Sequence, residues 1–220
     1  FLRILGERGG KIRDLLPPVE HSFMQPVRIT KSRERSTIHR TAFMDAILVS
    51  HSRGAAKSQR ISCILGLFTS AAFVQPTHEI PLLREKTKWV LQHSTLRLGS
   101  YAYKALQMLL ENLPRELLFQ MDRELLFRTA MDVLNHQERR KTRVYINADQ
   151  CGHFYSVLVY VPRDLFHSDM RLKIQQYLAE VLQGREVLFD VYFSDSILTR
   201  IHFVVHTRTG QAVDFDPAAI

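Results

Sequence analysis

The first third of the chain has the pattern of β-strands. Runs rich in β-branched and aromatic residues lie at 26–30, 36–51 and 59–73, a composition typical of strands. The polar stretch at 52–58 predicts a turn that joins the last two runs into a hairpin.

The middle of the chain changes to a helical period. Pro81 suits the first turn of a helix that runs to about His93, because the first helical N–H needs no partner inside the helix. Ser100 predicts the N-cap of a second helix, which ends before Pro114. Asp122 predicts the N-cap of a third. Since the connections are short, we expect these helices to pack as neighbours.

The last third returns to alternation around a single helix. Strands are predicted at 143–148, 154–161, 186–193 and 199–207, with a helix from about Asp169 to Gln183. The apolar residues of this helix form one stripe, at Met170, Ile174, Tyr177, Leu178 and Val181. Gly184 is expected to cap the end of the helix, and Gly152 to take a positive φ in the first hairpin loop. The order ββαββ predicts an antiparallel sheet that is covered on one face.

The chain is basic, with a formal net charge of +8 and a sequence pI near 9.7. Such a charge permits a nucleic-acid or anionic-surface partner without establishing one. The basic residues are spread along the chain, and the densest run, at 138–143, closes the third predicted helix. Cations interact favourably with the negative end of a helix dipole. Nucleic-acid binding is therefore the less favoured interpretation of the charge.

Two further features indicate the environment of the chain. The longest apolar stretch, 63–74, is about half of the roughly 20 residues that a bilayer requires, so no membrane partner is expected. Cys63 and Cys151 fall in different predicted elements, which favours a reduced, cytoplasmic setting. The chain begins with Phe1, and we expect it to be a piece of a longer protein.

The sequence lacks the motifs that mark common catalytic and cofactor sites. The stretch GERGGK, at 6–11, fails as a phosphate-binding loop because its glycine spacing is one residue short and Ile12 replaces the required hydroxyl. The motifs G-x-G-x-x-G, G-x-S-x-G, H-E-x-x-H and C-x-x-C do not occur. No dinucleotide, hydrolase or zinc site is predicted from these patterns.

Isolated polar residues do not combine into a predicted site either. His202 and His206 lie four residues apart on a predicted strand, roughly 13 Å and too far to share one metal, so we expect solvent-facing side chains. Cys151 and His153 lie in a hairpin loop without a third group to orient the imidazole. The carboxylates without an acid–base pairing are Asp190, Asp195, Asp214 and Asp216. We assign no catalytic, cofactor-binding or metal-binding residue, and no effector-binding residue is identified.

Seven longer runs are distinctive. They are STIHRTAFMDAILV (36–49), LGLFTSAAF (65–73), EIPLLREKTKWVL (79–91), GSYAYKALQMLLENLPRELLFQMD (99–122), NHQERRKTRVYI (135–146), VLVYVPRDLF (157–166) and SDSILTRIHFVV (194–205). In this order they resemble runs of the very large bacterial NAD-specific glutamate dehydrogenases. By this resemblance, residues 61–68 are expected to form a largely buried strand, followed by small residues that allow close packing under the next helix. The resemblance covers about residues 26–208 and is specific, because several long motifs occur in the same order.

The resemblance implies an α+β fold in three parts. It places the C-terminal part of a strand-rich, PAS-like module at 1–75, a helical connector at 76–140 and a small antiparallel ββαββ ACT-like domain at 141–215. It implies a non-catalytic regulatory or assembly region of an NAD-dependent glutamate dehydrogenase. The parent enzyme would convert L-glutamate, NAD and water to 2-oxoglutarate, ammonium and NADH at a site outside this chain.

The same resemblance implies the partners. NAD would be the cofactor of the parent enzyme, with none bound by this chain. The expected partners are other domains and subunits of the same enzyme in a homo-oligomer, and an amino acid is the candidate effector. A purely structural oligomerisation scaffold without a ligand remains the open alternative, followed by the basic nucleic-acid-binding module.

Overall fold

A computed structural model describes residues 26–38, 40–51, 60–149, 152–194 and 196–207. The strands are β1 (Val27–Arg35), β2 (Phe43–His51), β3 (Arg60–Gly66), β4 (Arg143–Ala148), β5 (Phe154–Pro162), β6 (Gly184–Tyr192) and β7 (Leu198–Thr207). The helices are α1 (Ser70–Val74), α2 (Pro81–His93), α3 (Tyr101–Asn112), α4 (Arg115–Gln120), α5 (Arg123–His136) and α6 (Ser168–Val181), with a 3₁₀ turn at Thr77–Glu79. None of these helices has the length and apolar character that a membrane span needs.

The first three strands form an antiparallel sheet in the order β1-β2-β3. The predicted hairpin of the second and third strands is confirmed by the pairing of β2 with β3, whereas its turn, at 52–58, lies outside the described residues. The predicted strand at 59–73 is too long, because β3 ends at Gly66 and α1 follows three residues later. The strand is also less buried than expected, since Ile61 is 37% exposed.

The three predicted helices are confirmed as α2, α3 and α5. The Ser100 hydroxyl accepts the Tyr103 N–H at 3.2 Å, and the Asp122 carboxylate accepts the Leu125 N–H at 2.6 Å. Both side chains thus satisfy N–H groups that have no partner inside the helix. The sequence analysis missed the six-residue α4, which begins directly after Pro114 and is too short for a helical period to be visible.

The last four strands form an antiparallel sheet in the order β4-β5-β7-β6, so the predicted ββαββ unit is confirmed. Helix α6 packs on one face of this sheet, where Leu178 is buried. Of the predicted apolar stripe, Tyr177 does not belong to the core, because it is 42% exposed. The buried sheet residues under the helix are Tyr155, Val157, Val159, Val161, Ile201, Phe203 and Val205.

The expectation that this sheet is covered on one face only is wrong. Every residue of β5 is buried, and so is every residue of β7 except Val204. The second face contributes Leu158, Tyr160 and Leu198 to the core of helices α2 to α5. A central strand with both faces covered has a nearly continuous apolar sequence, and the run at 154–162 has that character.

The prediction that Gly184 caps α6 is also wrong. The helix ends at Val181, the positive φ of 49° belongs to Gln183, and Gly184 is the first residue of β6. Glycine is needed there for space, because a Cβ atom at this position would lie 2.7 Å from Cγ1 of Val205 and 3.3 Å from Cα of Ala179. The expected positive φ of Gly152 is confirmed at 72°.

We expect Gly184→Ala to destabilise the protein by about 1–3 kcal/mol, because the added methyl group overpacks the contact between α6 and β7. The matched control is Gly99→Ala, where the backbone φ is 76° but nothing lies within 4 Å of the new Cβ, so a loss of about 1 kcal/mol is expected. Urea unfolding of both variants measures the two losses. A smaller loss for Gly184→Ala than for Gly99→Ala would contradict the packing argument.

Candidate functional site

A buried ion-pair cluster joins the first sheet to the helices. The Lys31 ammonium on β1 lies 2.7 Å from Oδ1 of Asp45 on β2 and 2.8 Å from Oε1 of Glu116 on α4. Burial alone would lower the pKa of Lys31, but the attraction of the two carboxylates outweighs it and raises the pKa, so the ammonium stays charged. Asp45 also accepts the Phe68 N–H at 3.2 Å. We call Lys31, Asp45 and Glu116 the Lys31 cluster.

A second set of contacts joins β1 to the sheet of strands β4-β5-β7-β6. We call this the ACT-like sheet, because the resemblance implies an ACT-like domain at 141–215. The Thr30 hydroxyl donates to Oδ1 of Asp149 at 2.7 Å, and Oδ2 of Asp149 accepts the His153 N–H at 3.3 Å. Nδ1 of His153 lies 3.1 Å from the Lys31 carbonyl oxygen. These groups are all buried, so the contacts are shielded from competing water.

At the far end of β1, the Arg35 guanidinium pairs with both carboxylate oxygens of Glu186 on β6. The Arg35 guanidinium also lies 4.5 Å from the ring centroid of Phe43. The side chains of this pair are about one third exposed, so water screens it more than the Lys31 cluster. Together with Thr30 and Asp149, it fixes how β1 lies against the second sheet.

The structure corrects the interpretation of two histidines. His202 and His206 on β7 were expected to face solvent, but both are buried against the first sheet and the helices. Nε2 of His202 lies 2.7 Å from Oγ of Ser156, and the ring centroid of His206 lies 3.9 Å from that of Phe43. Burial lowers the pKa of both histidines to about 4, so they are neutral at pH 7. Both imidazoles therefore lie inside the structure as neutral groups. His202 contacts Ser156, and His206 packs on the ring of Phe43.

The other candidates of the sequence analysis do not come together. His153 belongs to the contacts with Thr30 and Asp149, and Asp190 lies exposed on β6. The positions outside the described residues are 6–11, Cys151, Asp195, Asp214 and Asp216. Over the ranges that the structure describes, no group of three or more His, Cys, Asp or Glu residues is arranged to hold a metal ion.

A polar cavity of about 240 Å³ lies where the three parts of the chain meet. We call it the junction cavity. Its lining residues are Arg28 and Ile29 from β1, Gln120, Asp122 and Leu125 from the helices, and Ile146, Asn147, Ala148 and Asp149 from β4 and the residue after it. The lining residues thus include one arginine, two aspartates and two residues with carboxamide side chains. The carboxylate of Asp122 caps α5, and that of Asp149 accepts hydrogen bonds from the Thr30 hydroxyl and the His153 N–H.

A larger open groove, of about 1390 Å³, runs between α3, α5 and the end of the ACT-like sheet. Tyr101, Met108 and Phe193 line it and are 84%, 68% and 52% exposed. Its cationic lining residues are Lys104, Arg163 and Arg200. Burial lowers the pKa of Arg200, whose guanidinium lies 4.6 Å from the Tyr192 ring centroid and donates to the Asn112 carbonyl. The open groove thus combines exposed apolar side chains with polar and charged residues, among them the anionic Glu138.

The sequence analysis missed the residues of the Lys31 cluster and of the junction cavity. Lys31 and Asp45 stand in strands at positions that resemble ordinary solvent-facing charges. A weak signal was available, because the polar run Thr30, Lys31 and Ser32 interrupts the alternation of β1. In the structure, all three residues are buried. Their partner Glu116 is 85 positions from Lys31, and no pattern within one chain predicts such a pair.

Comparison with known proteins places these parts in context. Residues 80–139 match the family model described as glutamate dehydrogenase, helical motif 1, and residues 143–220 match glutamate dehydrogenase, ACT2 domain. The NAD-specific glutamate dehydrogenase of Pseudomonas aeruginosa is 36% identical over 198 residues, which are 89% of this chain and 12% of that protein.

Two further relatives carry the same name. The NAD-specific glutamate dehydrogenase of Halomonas elongata is 33% identical over 192 residues, 87% of this chain and 12% of that protein. That of Mycobacterium tuberculosis is 27% identical over 141 residues, 64% of this chain and 9% of that protein. The chain therefore spans about one eighth of the length of the first two relatives it matches.

We expect Lys31→Met to cost about 3–5 kcal/mol of unfolding free energy, because it leaves two carboxylates, one of them fully buried, without their counter-charge. The matched control is Arg140→Met, which removes an exposed pair with Asp164 and is expected to cost less than about 1 kcal/mol. Urea unfolding at neutral pH measures both. Equal losses in the two variants would show that the Lys31 cluster does not hold the parts together.

We expect the protein to lose stability as the pH falls from about 6.5 to about 4. His202 and His206 have a pKa of about 4 when folded and 6.5 as the ordinary value, so the unfolded chain binds more protons in this window. Each histidine contributes roughly 3 kcal/mol that is present above the window and lost through it. Urea unfolding across the window should show a shallower loss in His206→Phe than in the unchanged protein. An identical pH dependence would refute the assignment.

Proposed function

Because the chain belongs to the family of large NAD-specific glutamate dehydrogenases and carries their helical motif 1 and ACT2 domain, we propose that it is a non-catalytic regulatory and assembly region of such an enzyme. The longer protein oxidises L-glutamate, with NAD and water, to 2-oxoglutarate, ammonium and NADH. The chemistry takes place outside these residues, and NAD binds to the catalytic part.

The observation that carries this proposal is the buried contact between all three parts of the chain. Lys31 joins the first sheet to α4, and Thr30 with Arg35 joins it to the ACT-like sheet. A ligand or subunit that displaces the first sheet must therefore break or move its polar contacts with both other parts. Regulation requires that the ligand bind one arrangement more tightly than another, and this junction makes such arrangements distinct.

The division of the chain that we propose follows these contacts. Residues 1–75 belong to a PAS-like module, residues 76–140 are a helical connector, and residues 141–215 are the ACT-like domain. The partners are the other domains and subunits of a cytoplasmic homo-oligomer, and a free amino acid is the effector. The connector touches both of its neighbours, because α4 contacts β1 and the helical core includes Leu158 of β5.

A second candidate function is a scaffold without a ligand. Strand β6 is an edge of the ACT-like sheet, and Leu188 and Phe189 on it are 45% and 47% exposed. An exposed apolar edge pairs readily with another strand, so β6 suits a contact with a second copy of the chain. The open groove adds exposed apolar area at the end of the same sheet.

The proposal is tested in the longer dehydrogenase with Glu116→Gln, which removes one charge of the Lys31 cluster and keeps a hydrogen-bond acceptor. We expect a change of about fivefold in the glutamate concentration that gives half-maximal NADH formation, since couplings of 1–3 kcal/mol are typical of allostery. Absorbance at 340 nm measures NADH. The control Glu124→Gln, at an exposed pair on α5, should leave the kinetics unchanged.

Two outcomes separate the candidates. NADH formation by the isolated 220-residue chain would contradict a non-catalytic role. A pure scaffold instead predicts that Leu188→Lys dissociates the oligomer in sedimentation experiments, while Glu116→Gln leaves the activity of the assembled enzyme as it was.

A further inference from the structure

We propose that the open groove is the docking site of an acidic amphipathic helix that belongs to the longer enzyme and lies outside these 220 residues. This inference rests on the proposed function, because it takes the chain to be one region of a longer dehydrogenase. It assigns a surface and a partner of defined chemistry to one of the contacts between domains.

Two helices form walls of the open groove, and the spacing of their side chains suits a third helix. On α3, Tyr101, Ala105 and Met108 recur at i, i+4 and i+7, so they lie on one face. On α5, Met131 and Leu134 are three residues apart and line the other wall. Because α3 and α5 pack on each other, the side chains of a third helix can enter the furrow between them. With 12 residues, α3 is about 18 Å long, which is the length of a docked helix of about three turns.

The exposed apolar side chains of the groove favour a polypeptide as the occupant. Tyr101, Met108, Phe193 and Ile197 line the groove and are all exposed, although they are large and apolar. Exposed apolar side chains that are grouped on one surface mark a site of interaction. The volume of about 1390 Å³ also exceeds the roughly 300–1,000 Å³ of typical small-molecule pockets. Since a helix satisfies its own backbone hydrogen bonds, it can cover these side chains without a strand edge to pair with.

The charges of the groove indicate that the docked helix is acidic. Lys104, Arg163 and Arg200 are its cationic lining residues, and Glu138 is the one anionic residue among the described residues that line it. Lys104 is exposed and forms no ion pair within the described part of the chain. Three cations against one anion leave the groove positive, so an acidic segment is complementary to it.

Arg200 strengthens this conclusion, because it is a buried cation without a paired carboxylate. Only 7% of the residue is exposed. Its guanidinium hydrogen-bonds to the Asn112 carbonyl and to Tyr160, and Asp190 attracts it without forming an ion pair in the described ranges. Its Nε–H is buried and has no hydrogen-bond partner among the residues that the structure describes. A buried charge is costly when no opposite charge accompanies it, and a carboxylate of the docked helix at this end of the groove offsets that cost.

The net charge and the length of the relatives indicate where the helix comes from. The chain carries a net charge of +8, so two copies that meet through a positive surface repel each other. The matched residues are 12% of each of the two longer relatives described above, and most of such an enzyme therefore lies outside this chain. A helix of the same enzyme is tethered to the groove, and tethering raises its effective concentration there.

The test is photo-crosslinking in the longer dehydrogenase, with p-benzoylphenylalanine in place of Met108 on the wall of the groove. Mass spectrometry identifies the segment that becomes joined. We expect a segment outside these 220 residues, with apolar side chains at helical spacing and with Asp or Glu beside them. The same substitution in the 220-residue chain alone gives the background that comes from the groove walls.

A charge reversal tests whether the partner is acidic. Lys104→Glu places an anion beside the docked helix and should lower the crosslinking yield at least about fivefold, because like charges in contact repel. The matched control is Lys88→Glu, at an exposed lysine of α2 that does not line the groove, and it should leave the yield unchanged. A thermal unfolding curve for each variant establishes that it is folded.

Four results would overturn the assignment. They are the absence of crosslinks beyond the background, crosslinks only to residues of a second copy of this chain, a joined segment without acidic residues, and equal yields in folded Lys104→Glu and Lys88→Glu. Such a failure is distinguishable from failure of the proposed function. If no crosslink forms while Glu116→Gln still alters the kinetics of the longer enzyme, the regulatory function stands without this docking site. If the crosslink forms while Glu116→Gln has no effect, the docking site stands and the regulatory role of the Lys31 cluster does not.

Discussion

A lysine ammonium that leaves water must keep carboxylates within hydrogen-bond distance, because an unpaired buried charge costs several kcal/mol. Lys31 meets this condition only when β2 supplies Asp45 and α4 supplies Glu116. The constraint also fixes the register of β1, since a slip by one residue would turn Lys31 to the opposite face of the sheet. The first sheet and the connector are therefore held in one relative position by charge, in addition to apolar packing.

The interface between the two sheets follows the same principle on a larger scale. It contains polar contacts, Thr30 with Asp149 and Arg35 with Glu186, and the neutral His206 of β7 packs on the ring of Phe43. The opposite face of the ACT-like sheet packs on α6 through aliphatic and aromatic side chains. An apolar interface tolerates small shifts, whereas paired buried groups lose their partners when shifted. The second sheet thus has one apolar face against α6 and one face on which polar contacts accompany the packing of Leu158, Tyr160 and Leu198 on the helices.

The features set by nearby residues could be predicted from the sequence, whereas the contacts between distant parts of the chain could not. The caps at Ser100 and Asp122 and the ββαββ order were predictable, because their signals lie within a few residues or in a short-range period. The burial of both faces of β5 was readable from its continuous apolar run. The junction was not predictable, since Thr30 and Asp149 are 119 positions apart and each looks like a surface residue. Gly184 was misassigned because its role, close approach to Val205, depends on tertiary contact.

The two concave surfaces described above differ in size, and one element lines both. The open groove is nearly six times as large as the junction cavity by volume, about 1390 Å³ against about 240 Å³. Within the described ranges, α5 is the only helix or strand that reaches both, with Leu125 at the cavity and Leu134 at the groove. Its 14 residues span about 21 Å as a rigid rod. The junction cavity and the open groove are therefore contacted by the same helix, which packs on the core through Leu126, Ala130 and Val133.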